Sequence, residues 1–137
     1  MNQITTLQPL DPLKVFLEFN EQYQVYVAQC LQTGHLVTAD EPEMAKEMIT
    51  ELLEGEVSQA VRANDLSGLL SNPAPMSLFY KFELAAKVPS ALDETRTIRV
   101  SGGVPQELRV LVGQDYRTVE VQTEIKIATG ATTRTAA

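Results

Sequence analysis

The chain has 137 residues, 44% of them hydrophobic, and a formal net charge of −7, which fits one domain or one domain with a small appendage. No apolar run approaches the roughly 18 residues of a membrane span. Met1 to Leu13 lacks the basic start and apolar core of a secretory signal, and a lone Cys30 excludes an internal disulfide, so cytoplasm is the expected compartment. The charge is uneven: residues 1–75 hold eleven acids and three bases, residues 76–137 seven acids and eight bases. An acidic first half repels nucleic acid phosphates and suits a basic protein partner, although a solvated helix face accounts for the same counts.

Taken in order, Met1 to Pro12 is polar and Pro-flanked and reads as a leading arm. Lys14 to Phe19 is predicted as a strand with Val15, Leu17 and Phe19 facing one way. After the turn Asn20-Glu21-Gln22, Tyr23 to Leu31 is a second strand whose two apolar faces predict a central position covered on both sides. Gly34 in Thr33-Gly34-His35 can supply the positive φ of the next turn. Leu36 to Ala39 is a short third strand, and two tight connections imply an antiparallel meander.

Asp40 to Ala63 is the longest stretch with helical periodicity. Asp40 and Glu43 form a D-x-x-E helix start, with Pro42 in the first turn where its missing N–H costs nothing. Ala45, Met48, Ile49, Leu52, Leu53, Val57, Ala60 and Val61 share one face. The other carries Glu43, Lys46, Glu47, Glu51, Glu54 and Glu56, and Asn64-Asp65 offers a stop. Leu66 to Leu70 forms one further turn, and Ser71-Asn72-Pro73-Ala74-Pro75 breaks the chain.

Met76 to Lys87 alternates apolar and polar over twelve residues, which predicts a long half-buried strand. A helix from Ser77 through Leu78, Phe79, Phe82 and Ala86 is the competing reading; the aromatics and strict alternation favour the strand. The remainder reads as β: Arg96 to Ser101, a turn at Gly102-Gly103, Glu107 to Val112, a turn at Gly113-Gln114-Asp115, and Tyr116 to Ala128. The expected organisation is an α+β fold: a β-β-β-α-β unit over residues 1–87 with an antiparallel sheet and one long amphipathic helix, an all-β segment over 88–130, and a disordered tail over 131–137.

Residues with chemistry to offer are few. His35 is the only histidine and Cys30 the only cysteine, too few for a metal site of that kind. A nucleophile pair would have to join Cys30 to His35 across a turn, whereas a cysteine on an apolar strand is more often a small core residue. Gly102-Gly103 lacks the pattern of a phosphate loop. Met44, Met48 and Met76 read as gap-filling core. No catalytic motif, cofactor or metal is expected. The strands beginning near Val15, Leu36 and Met76 offer edges that another chain could extend.

The stretch Tyr26-Val27-Ala28-Gln29-Cys30-Leu31-Gln32-Thr33-Gly34-His35, followed by the short strand, Asp40, and Glu43-Met44-Ala45 at the helix opening, resembles the HicB-like antitoxin family. The resemblance covers about Lys14 to Lys87. It implies a reduced RNase H-like fold without nuclease carboxylates and a role in a toxin–antitoxin system: binding and neutralising a small, basic, RNA-cleaving toxin of the HicA type. Under it, partner binding falls to the acidic helix residues Glu43, Glu47, Glu51 and Glu54, and the protein is not an enzyme. Many members append a DNA-binding element. Arg96-Thr97-Ile98-Arg99-Val100 with Pro105-Gln106-Glu107-Leu108 is faintly similar to a ribbon-helix-helix opening, but the following segments read as strands. The alternative functions are therefore autoregulation through Arg96, Arg99, Arg109 and Arg117, or a solitary structural protein. A homodimer or higher homo-oligomer formed through the C-terminal strands is also expected.

Overall fold

The computed structural model describes residues 4–7, 12–63, 65–102 and 118–130. Its elements are β1 (Ile4–Leu7), β2 (Leu13–Asn20), β3 (Val25–Cys30), β4 (Leu36–Ala39), α1 (Pro42–Ala63), α2 (Leu66–Leu69), α3 (Met76–Ala86), β5 (Glu94–Gly102) and β6 (Thr118–Thr129). The fold is α+β, with a single sheet and one long helix among the described residues. The meander at 13–39 forms as its alternation predicts: β2 pairs antiparallel with β3 and β3 with β4. Gly34 takes φ +79° in the turn between the last two, and Phe19 and Tyr26 face each other across the first pair as an edge-on aromatic contact at 5.0 Å.

The sheet is mixed rather than purely antiparallel. β6 lies beside β2 and runs parallel to it, from Leu13 opposite Ile125 to Leu17 opposite Thr129. Ile4–Leu7, expected as a free arm, pairs parallel with the start of the same strand. β5 lies antiparallel along β6. The strands from 94 onward thus belong to the same sheet as the meander, and β2, expected to offer an edge at Val15, is interior. Parallel neighbours require a long crossover, and the segment holding α1 and α3 supplies it. The predicted strand at 107–112 and the tail at 131–137 lie outside the described residues.

α1 occupies one face of the sheet. Ala45, Ile49, Leu53, Val57, Ala60 and Val61 are buried against Leu13, Val15, Leu17, Ala28, Cys30, Ile98, Val100, Ile125 and Ile127. The helix touches β4 at one side of the sheet and β5 at the other, so the sheet curls around it and leaves only its outer face to solvent. The helix opens one step later than the D-x-x-E reading placed it. The Ala45 N–H donates to the Glu41 carbonyl, and Glu43 turns to Lys46 instead of reaching back to Asp40. Asp65 closes the far end, its N–H donating to the Ala60 carbonyl while its carboxylate accepts from Gly68 N–H to start α2.

Residues 76–86 form a helix, not the predicted strand. Pro75 presets the entry. The opposite face of the sheet supplies the reason: Phe16, Leu31 and Ala128 make an apolar patch there, and α3 covers it with Phe82, supported by Leu78, Phe79 and Ala85. A strand would put Phe79 and Phe82 on opposite sides; a helix delivers both to one patch. Met44, Met48 and Met76 are correspondingly exposed rather than core. The result is three layers, α1, sheet and α3.

Candidate partner-binding face

The outer face of α1 gathers the acidic residues singled out in the sequence. Glu43, Glu47, Glu51 and Glu54 are all exposed, spaced by four, four and three residues, which keeps them on adjoining rows of the helix. Their backs are fixed by the buried stripe, so the row cannot rotate away from solvent. Glu43 pairs with Lys46 at 2.8 Å. Glu47, Glu51 and Glu54 make no ion pair among the described residues. Three carboxylates held within about two helical turns, none of them ion-paired among the described residues, repel one another and gain from any cation brought to them.

Lys46 belongs elsewhere. It falls one turn before Ile49 and two before Leu53, on the buried stripe, and is only 4% exposed. Its ammonium reaches Glu43, Glu94 at 3.2 Å and the Leu92 carbonyl at 3.1 Å. Arg96 joins the same cluster, with Nε 3.0 Å from Glu94 and Nη1 donating to Thr50 Oγ1. The Arg96 bonds, with Lys46 assisting, hold the Glu94 carboxyl below its ordinary pKa against the opposing effect of burial. This cluster fastens the start of β5 to α1.

Two clefts flank α1. One, of about 400 Å³, lies between the helix and β5 and is lined by Glu51, Glu54, Gly55, Ser58, Arg62, Arg99 and Val100. The other, of about 330 Å³, lies on the β4 side, where His35 and Glu56 sit 3.7 Å apart near Gln59, Asp65 and Asn72.

Of the four arginines considered for DNA, Arg96 is engaged with Glu94 and Thr50, Arg99 lines the first cleft, and Arg109 and Arg117 lie outside the described residues. The structure does not bring Cys30 and His35 into a nucleophile pair. The thiol is buried, donates to Gln32 Oε1 and is pushed above its ordinary pKa by burial, whereas the imidazole faces Glu56. Among the described residues no group of three or more His, Cys, Asp or Glu is placed to hold a metal ion, and no helix is long and apolar enough to cross a membrane. Compared with protein-family models, curated proteins and solved structures, the chain matches none.

Proposed function

We propose that the protein is a non-enzymatic, HicB-like binding module that captures and occludes a small basic protein, a toxin of the HicA class being the partner the resemblance implies. The observation that carries this reading is the exposed row Glu43, Glu47, Glu51 and Glu54, three of whose members make no ion pair among the described residues. The β-β-β-α order over 13–63 is the order the resemblance calls for. The strand that closes the unit beside β2 is β6, drawn from the end of the chain rather than from 76–87. Charges of this kind speed encounter and select the partner more than they add affinity.

The test uses the product of a short, basic reading frame adjacent to the protein's own. The two are co-purified and titrated at low and physiological salt. Glu47→Lys/Glu51→Lys/Glu54→Lys is expected to weaken the complex by about tenfold or more, as the loss of three exposed ion pairs implies. Absence of a complex, or one indifferent to both the triple reversal and salt, would refute the reading.

A further inference from the structure

α3 is thinly buried. It sets Phe82, supported by Leu78, Phe79 and Ala85, against Phe16, Leu31 and Ala128 of the sheet, and Phe82 is its one buried residue. At about 100° per residue, Met76, Tyr80 and Leu84 fall in one row on the side away from Phe82. All three are exposed. The Lys87 N–H donates to the Leu84 carbonyl and the Val88 N–H to the Ala85 carbonyl, so the chain keeps turning and carries the row on to Val88, exposed as well. Residues 65–75 before the helix and 87–102 after it leave this row open. Among the described residues the other exposed large hydrophobics are single residues of other segments, Tyr23, Leu36 and Leu70, or the pair Met44 and Met48 of α1. Scattered apolar side chains need no partner, whereas a contiguous row marks a contact surface.

Charge selects the occupant. The outer face of α1 carries carboxylates of one sign, so two copies meeting there repel. α3 carries both signs: Lys81 and Glu83 flank the apolar row on opposite sides. Glu83 makes no ion pair among the described residues, and Lys81 makes only a long one, 3.9 Å, to Glu18 of β2. A second copy whose α3 runs parallel, related by a twofold axis along the row, sets Lys81 of each copy beside Glu83 of the other. Met76, Tyr80 and Leu84 then meet their own counterparts, as core positions do in a parallel coiled coil. Turned antiparallel about the middle of the row, the same helices set Lys81 against Lys81 and Glu83 against Glu83. The surface is therefore complementary to itself in one arrangement, as a twofold contact requires.

We infer that α3 is a homodimer contact: a second copy of this chain lays its α3 parallel on the first, apolar row against apolar row, with Lys81 and Glu83 paired across the axis. The inference does not depend on the acidic-face reading, since α1 lies on the opposite face of the sheet. It moves the self-association expected of the C-terminal strands to the helix. A row of four side chains is a small contact, so association is expected at roughly micromolar concentrations and above. The full chain is followed by sedimentation from about 1 µM to about 1 mM, and over the same range by hydroxyl-radical footprinting. The mass is expected to rise towards twice that of the monomer, with Met76 and Tyr80 becoming protected as it does. Leu84→Lys is expected to raise the dimer dissociation constant at least about tenfold. Tyr80→Cys is expected to form a disulfide between copies under mild oxidation, because position 80 meets itself in the parallel pair; Cys30 is buried and does not compete. A monomer at every concentration overturns the inference. So does a dimer that Leu84→Lys leaves intact, or one in which Tyr80→Cys fails to cross-link. Protection of Met76 and Tyr80 that is the same at every concentration overturns it too, because another part of the same chain then covers the row.

Discussion

Lys46→Met removes the ammonium that joins α1 to the start of β5 while keeping most of the side-chain stem. Three acceptors lose a donor. Glu43 is 65% exposed and rehydrates, so its share is small. Glu94 is 35% exposed and keeps Arg96, so its loss is partial. The Leu92 carbonyl is part-buried and loses the ammonium donor, which costs about 1–3 kcal/mol. Together these give an expected destabilisation of about 2 kcal/mol, well short of the full penalty for an ion stranded in a dry interior. For a chain of this size that corresponds to a drop in Tm of roughly 6–8 °C. Urea unfolding of the wild type and variant, with the slope unchanged and the midpoint lowered, checks it. A double-mutant cycle with Glu94→Gln is expected to return a coupling of about 0.5–1.5 kcal/mol. A variant as stable as the wild type, or more so, would refute the reasoning, because the desolvation of Lys46 would then equal its attraction.

Three further outcomes follow from the same contacts. Phe82→Ala opens the second core and is expected to cost about 3–5 kcal/mol by chemical denaturation; a near-neutral result would mean that α3 does not cover Phe16, Leu31 and Ala128. Gly34→Ala forces a Cβ at φ +79° toward the Asn72 carbonyl, so a loss above about 1 kcal/mol is expected in urea, with an unchanged midpoint as the contrary result. The carboxyl of Glu94 has a lowered pKa in the fold. Its stabilisation is therefore complete above the ordinary glutamate range and lost as pH falls through the depressed value. Glu94→Gln should flatten the acid limb of a stability–pH curve, and an unaltered limb would count against the assigned cause.

The meander and α1 were legible because each keeps one period, two in the strands and three to four in the helix, along the faces they turn to each other. Val15, Leu17 and Phe19 step by two, and Ile49, Leu53, Val57, Ala60 and Val61 step by three and four. Met76–Lys87 fits both periods, so the pattern alone could not decide. What decides is the patch of Phe16, Leu31 and Ala128, residues that come together only once β6 has joined β2. Lys46, expected on the outer face, occupies the 46, 49, 53, 57 stripe, and a charge at such a position implies buried partners. The parallel register of β6 had no local trace, since it depends on a pairing across more than 100 residues. The acidic row was visible because exposure of one helix face follows from burial of the other.

That long-range pairing has a kinetic corollary. The middle of the sheet joins residues 13–17 to 125–129, so more than 100 further residues must be synthesised before β2 acquires its second neighbour. Until then one border of a strongly apolar strand lies bare, and α1 has only part of the concavity that later holds it. Closing so wide a loop is slow, and a chain that has not yet closed it is the form most exposed to misassociation.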